Sequence, residues 1–136
     1  MKSKPFSALV TARLEACQQT LGIKAGEYMQ DDDRHWNFKQ AGAILGCSPE
    51  EALLGMLAKH IVSVLDLARA SGRGEVPSKE LVKEKIGDWI CYGVLLEGLF
   101  EERRATKEAR SCQNCAICTR CDEEIVSDCC SRWRPA

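Results

Sequence analysis

Apolar residues recur at three- and four-residue intervals along most of the chain, which is the spacing of one face of an α-helix. The pattern first appears between Pro5 and about Leu21, where it predicts a helix that packs along one side of the core. It resumes in WNFKQAGAIL, and Gly46 is expected to end that second helix. No segment combines strand alternation with turn residues, so the pattern predicts an all-α fold.

The third apolar stretch has the clearest helix start, at Ser48. Its hydroxyl can accept a hydrogen bond from the Glu51 amide, and the Glu51 carboxylate can accept one from the Ser48 amide. Pro49 takes the first helical position, where its missing N–H costs nothing. Gly72 and Gly74 are expected to end this helix.

A fourth helix is expected to start after Ser78 and to cover residues 79–110. Its middle, from Ile86 to Phe100, is apolar around most of its circumference, which predicts a central position in the fold. The chain is therefore expected to form a bundle of about four main helices in residues 1–108. A separate Cys-rich segment, residues 109–136, follows it.

Composition narrows the choice of partner and compartment. The chain has 136 residues, with 19 lysines and arginines against 20 acidic residues, so its net charge of -1 gives no reason to expect an anionic membrane surface. We see no signal peptide and no stretch near the ~20 apolar residues that a membrane span requires. We expect a cytoplasmic protein with no membrane partner.

The cysteines concentrate near the end of the chain. Six of the nine are Cys112, Cys115, Cys118, Cys121, Cys129 and Cys130. A CxxC turn can bring two thiolates to one ion, and four thiolates form the tetrahedral shell of structural Zn²⁺. In a reducing cytosol such clusters hold metal more often than they form disulfides, so we predict a zinc-binding module. An iron–sulfur centre, disulfides formed in air and a disordered reactive tail remain alternatives.

The remaining charged and thiol groups fit structural roles. Cys17, Cys47 and Cys91 are expected to be small buried hydrophobes. The run Asp31–Asp33 is expected to form a solvated loop. Arginines around Trp133 leave contact of the tail with nucleic acid open.

Three stretches carry a family resemblance: DRHWNFKQAGAILG, EALLGMLAKHIVSVLDL and EKIGDWICYGVLLEGL. Together they resemble a family of small helical phage and prophage proteins, mostly uncharacterised and sometimes labelled as associated with nucleotide modification. More distantly they are similar to the all-α nucleoside triphosphate pyrophosphatases of the MazG and dimeric dUTPase kind. The residues that match the phage family's pattern are Asn37, Phe38, Lys59, Asp88 and Tyr92.

The resemblance implies a nucleotide site between helices. In the pyrophosphatases, acidic pairs hold Mg²⁺ against a triphosphate, and Glu84 with Asp88 lie four residues apart on one helical face, as such a pair would. Lys59 would then bind phosphate. Asp66, Tyr92 and Asn37 would complete the nucleotide pocket.

Two departures from that pattern separate this chain from the pyrophosphatases. Leu54 stands where the carboxylate partner of Glu51 would lie, and Lys85 stands where an acid of the second pair would lie. A structural role for the charged residues, as interhelical salt bridges, is the competing interpretation. His35 and His60 are expected to be packed or exposed rings rather than catalytic bases.

Two functions follow, from different classes. The first is a nucleotide-binding or nucleotide-hydrolysing protein with a Mg²⁺-dependent site. The second is a non-enzymatic, zinc-containing interaction module that binds a host protein or nucleic acid. The resemblance also implies a homodimer or homotetramer.

Overall fold

The computed structural model describes residues 2–113, with side chains as far as Ala109. These residues form four α-helices: α1 Ser3–Tyr28, α2 Trp36–Leu45, α3 Pro49–Gly72 and α4 Lys79–Gln113. Within the described range there is no β-strand, only an isolated bridge between Gln30 and Asp33. The prediction of an all-α fold with four main helices is confirmed.

Packing divides the chain into two units after Leu99, and the features described below lie in the first, Met1–Leu99. A search of the described helices for a segment long and apolar enough to cross a membrane finds none.

The sequence signals at both ends of the short loop between α2 and α3 are confirmed. The Ser48 hydroxyl accepts from the Glu51 amide at 3.2 Å, and the Glu51 carboxylate accepts from the Ser48 amide at 2.8 Å. Gly46 caps α2 with φ +68°, a left-handed conformation that costs glycine little. These two turns fix where α3 begins relative to α2.

Helix α1 continues about two turns beyond Leu21. Gly22 and Gly26 lie inside it, because each glycine lowers helix propensity by only about 1 kcal/mol and does not break the backbone hydrogen bonds. An ion pair of 2.6 Å between Lys24 and Glu27 adds support in its last turns. The extra length carries Lys24 and Tyr28 to the end of α1, where both line a cavity described below.

The core is small and draws on three helices. Phe38 of α2, Leu53 of α3 and Leu99 of α4 form its buried centre. Leu53 has no exposed surface. The partly buried side chains that pack around this centre are Met56, Tyr92, Leu95 and Leu96. This core holds α3 and α4 together beside the cavity.

Large apolar side chains remain exposed outside this core. On α3, Leu54, Ala58, Ile61 and Leu65 follow one another at three- or four-residue spacing and are all exposed. We call these four residues the α3 exposed face. On α1, Cys17 is the one buried residue, whereas Phe6, Leu14 and Ile23 are more than half exposed, so the predicted packing of α1 along the core is seen only around Cys17.

Candidate functional site

A cavity with a volume of about 460 Å³ lies between the four helices. All of its lining residues belong to the unit Met1–Leu99. Its apolar wall consists of Leu21, Phe38, Met56, Cys91 and Leu95, and its polar lining consists of Thr20, Lys24, Tyr28, Arg34, Asn37, Lys59, His60, Asp88 and Tyr92. We call this space the first cavity.

The first cavity brings together four of the six residues that the family resemblance selected as a nucleotide site. Asn37, Lys59, Asp88 and Tyr92 all line it, from α2, α3 and α4. Glu84 does not line it. Asp66 is an exposed residue that pairs with Arg69 on its own helix at 3.3 Å. It lines neither this cavity nor the second cavity described below.

Three cations face the first cavity, and they differ in how far their charge is compensated. The Lys24 ammonium pairs with Glu27 and lies 5.6 Å from the centre of the Tyr28 ring. The Arg34 guanidinium donates to the carbonyl of Leu21 at 2.8 Å, a neutral partner. Lys59 makes no ion pair with any residue in the described part of the chain. Arg34 and Lys59 therefore have no direct carboxylate partner in the described part of the chain, and Asp88, the carboxylate that lines the same cavity, faces His60 instead.

The loop before α2 determines where Arg34 lies. Asp31 and Asp32 adopt left-handed conformations, with φ +52° and +62°, which aspartate tolerates better than most residues. The Asp33 carboxylate accepts from the His35 amide at 2.9 Å and from the Lys39 ammonium at 2.8 Å. Partial burial acts to raise the pKa of Asp33, but these two hydrogen bonds outweigh it and hold the pKa below its usual value.

Asp88 has a partner that the sequence did not indicate. Its Oδ2 lies 3.2 Å from Nδ1 of His60 on α3. The His60 ring in turn lies 4.9 Å, centre to centre, from the Tyr92 ring. The three side chains line the first cavity together. No local pattern could have revealed this pair, because it depends on which faces of α3 and α4 meet.

Burial raises the pKa of Tyr92, and the nearby Asp88 carboxylate and Tyr28 raise it further. Tyr28 and Tyr92 are the two tyrosines of the chain, so Tyr28→Phe leaves one phenol to follow. We expect the ultraviolet titration midpoint of Tyr92 to lie above the ordinary tyrosine pKa of about 10, and Asp88→Asn to lower that midpoint. Since the folded state favours the neutral phenol, its contribution to stability is present below pH ~10 and is lost as the pH rises through the raised pKa. A midpoint at or below 10.0 in the folded protein would contradict the burial of Tyr92.

A second cavity, of about 320 Å³, lies between α1 and α4. Its charged lining residues are Arg13, Lys83, Glu84 and Asp88, and it shares Thr20, Asp88 and Cys91 with the first cavity. Arg13 crosses the face of α4 and donates to the carbonyl of Lys83 at 2.8 Å. Gly87 permits this crossing, because a Cβ at that position would lie 2.7 Å from the guanidinium.

Cys17 and Cys91 lie where α1 and α4 meet. Both are buried, as predicted, whereas Cys47 is only partly buried. The Cys91 thiol lies 3.9 Å from the Cys17 carbonyl oxygen. Burial, with the neighbouring Cys17 thiol, raises the pKa of Cys91 to about 11. The thiol of Cys91 therefore stays protonated at neutral pH.

The predicted acidic pair has partners already. Glu84 and Asp88 both line the second cavity, so they do share one face of α4. However, the Glu84 carboxylate accepts a hydrogen bond from the Lys85 ammonium at 2.7 Å, and the Asp88 carboxylate faces His60. In the described part of the chain, neither carboxylate converges with two further acidic, histidine or cysteine ligands. Lys85 pairs within its own helix rather than across helices.

The predicted zinc ligands fall at the edge of the described range. Cys112 lies within the last turn of α4, but its side chain is outside the described residues. Cys115, Cys118, Cys121, Cys129 and Cys130 are also outside them. The zinc module and its alternatives therefore stay predictions.

Comparisons with known proteins add no identification. No family profile, no curated protein and no solved structure matches the chain. The resemblance to the phage family and to the all-α pyrophosphatases therefore remains an interpretation of the residues quoted above.

Proposed function

We propose that this protein binds a nucleotide in the first cavity. The observation that carries the proposal is that two cations without a direct carboxylate partner, Arg34 and Lys59, line one cavity together with apolar and aromatic side chains. Phosphate oxygens are the natural partners of such cations. The cavity volume of about 460 Å³ lies within the range typical of small-molecule sites.

Asn37 has a hydrogen-bonding atom that no described residue uses. Its Oδ1 is buried and has no hydrogen-bond partner in the described part of the chain. A buried acceptor without a donor costs roughly 1–3 kcal/mol, and proteins rarely leave one unsatisfied. A ligand in the cavity reaches this atom only if the side chain turns, because Oδ1 itself has almost no exposed surface. Asn37 is also one of the residues that the family resemblance selected.

The aromatic groups of the cavity suit a base. Tyr28, His60 and Tyr92 line the cavity beside its apolar wall, and aromatic side chains stack favourably on nucleobases. A nucleotide can therefore place its phosphate at Arg34 and Lys59 and its base against these three rings.

Binding is better supported than hydrolysis. Hydrolysis of a triphosphate by Glu84 and Asp88 with Mg²⁺ would need both carboxylates to leave their present partners, Lys85 and His60. Mg²⁺ is commonly held by one or two carboxylates together with the substrate phosphates, so the pair on α4 fits the metal in number and type. In that case Glu84 and Asp88 would hold the ion, and the metal would supply Lewis-acid activation of the phosphate. However, Glu84 lines the second cavity and not the first, where we propose that the nucleotide binds.

We also propose that the protein is a homo-oligomer, either a dimer or a tetramer. Its support is the α3 exposed face, whose four residues form a continuous apolar stripe along the helix. Extended apolar patches on a small protein mark surfaces that bury themselves against a partner. A second copy of the chain offers the same stripe, as a two-fold interface requires.

The zinc module is the third part of the proposal. We expect about one zinc ion per chain in freshly purified, colourless protein, because four thiolates suffice for a structural site. Elemental analysis with an absorption spectrum measures this. Cys112→Ser, Cys115→Ser and Cys118→Ser combined leave three of the six clustered thiols, one fewer than the tetrahedral shell needs, and should remove the zinc. Cys47→Ser, outside the cluster, should retain it. Brown protein with iron and labile sulfide would replace zinc with an iron–sulfur centre.

Titration calorimetry with common ribo- and deoxyribonucleotides tests nucleotide binding. We expect Lys59→Gln to weaken binding about tenfold, because it removes one charge-assisted hydrogen bond to phosphate. Lys79→Gln, on an exposed lysine of α4 that lines neither cavity, is the matched control and should bind as the original protein does. Absence of binding by every nucleotide, with a folded protein, would refute the proposal and favour the interaction module.

A further inference from the structure

We infer that the ligand of the first cavity is a nucleoside monophosphate, and that the protein binds it without a divalent metal ion. This inference rests on the proposed nucleotide site and specifies its ligand. It departs from the triphosphate and Mg²⁺ that the family resemblance implies. The charges and contacts of the cavity carry it.

The first step is the charge that the cavity can neutralise. Lys24 is already balanced by Glu27, so its net attraction for an anion is small. Arg34 and Lys59 supply two positive charges, and the Asp88 carboxylate in the same cavity sets one negative charge against them. A phosphate monoester carries about −1.5 to −2 at neutral pH, which is nearer to this small positive balance than the charge of a triphosphate is. A triphosphate carries more charge than these groups can balance, and proteins that bind one normally supply Mg²⁺.

The second step concerns the metal. Asp88 is the sole carboxylate among the residues that line the first cavity. Its Oδ2 lies 3.2 Å from the His60 ring nitrogen, so the carboxylate is engaged on the side where α3 meets α4. Glu84 lies outside this cavity and is bonded to Lys85. A Mg²⁺ ion in the first cavity would thus have one carboxylate, already shared with a histidine.

The third step is the effect of Asp88 on an anion. A carboxylate in the same cavity as Lys59 repels a phosphate and lowers its affinity. If Asp88 were a Mg²⁺ ligand, its replacement by asparagine would abolish binding of the metal-bound nucleotide. If binding is metal-free, the same replacement removes repulsion and strengthens binding. Asp88→Asn therefore separates the two mechanisms by the sign of its effect.

The experiment compares each nucleoside monophosphate with its triphosphate by titration calorimetry, once with EDTA and once with Mg²⁺. We expect the monophosphate to bind in EDTA with an affinity within about threefold of that in Mg²⁺, and to bind more tightly than the triphosphate. Asp88→Asn should tighten monophosphate binding by about two- to fivefold. Lys79→Gln, away from the cavity, should change neither affinity.

The outcomes distinguish this inference from the proposed function. Triphosphate binding that needs Mg²⁺ and is lost in Asp88→Asn would overturn the inference but leave nucleotide binding in place. If neither nucleotide binds in EDTA or in Mg²⁺, the proposed function fails and the inference fails with it. Thermal unfolding of each variant confirms that the comparison is made between folded proteins.

Discussion

Truncation of Leu53 to alanine is expected to lower the free energy of unfolding by about 2–5 kcal/mol. Leu53 has no exposed surface and packs between Phe38 and Leu99 at the centre of a small core. Replacing its isobutyl group by a methyl group removes buried apolar contacts from all three helices that share this core. Few other side chains are placed to fill the space, because many of the large apolar residues lie at the surface. Urea unfolding followed by far-ultraviolet circular dichroism measures the change.

Leu45→Ala is the matched control for that experiment. It deletes the same atoms from the last residue of α2, where the side chain is 67% exposed. We expect it to change the free energy of unfolding by no more than about 0.5 kcal/mol, as most surface substitutions do. Equal losses in the two variants would mean that Phe38, Leu53 and Leu99 do not form the stabilising core.

Replacement of Ile61 by glutamate is expected to convert the proposed oligomer into monomers. Ile61 lies in the middle of the α3 exposed face, where 41% of its surface remains uncovered in the single chain. A carboxylate on both sides of a two-fold apolar interface would be buried without a partner, and removing it from water costs more than the apolar contact contributes. Light scattering after size-exclusion chromatography measures the mass of each species.

Val76→Glu is the matched control for the Ile61→Glu experiment. Val76 lies between α3 and α4 and is 93% exposed, so it contacts little in the single chain and is outside the α3 exposed face. We expect this variant to keep the oligomeric mass. A monomeric mass for the original protein, or an unchanged mass for Ile61→Glu, would contradict an interface at this face.

Local signals predicted the helices well because they act over a few residues. Ser48 and Glu51 cap α3 through hydrogen bonds that need no tertiary contact, and Gly46 ends α2 through its own backbone conformation. The end of α1 was predicted less well. A glycine such as Gly22 is typical of a helix end, but α1 continues past it. No other atom lies within 4 Å of where a Cβ would be at this position.

The candidate site was predicted in part. The family pattern selected Asn37, Lys59, Asp88 and Tyr92, and the structure places all four around one cavity. Arg34 and His60, which complete the charge distribution of the site, were not selected. Arg34 depends on a loop with two left-handed aspartates, and His60 depends on the rotation of α3 against α4. The spacing of apolar residues encodes neither the conformation of that loop nor the rotation of α3 against α4.

The crossing of Arg13 over Gly87 makes the two positions depend on each other across the contact between α1 and α4. A methyl group at position 87 would meet the guanidinium, which would have to shift and give up its hydrogen bond to the Lys83 carbonyl. Because the guanidinium is the end of a flexible side chain, the backbone of α1 need not move with it. Gly87→Ala would therefore loosen α1 from α4 by one hydrogen bond without displacing either helix.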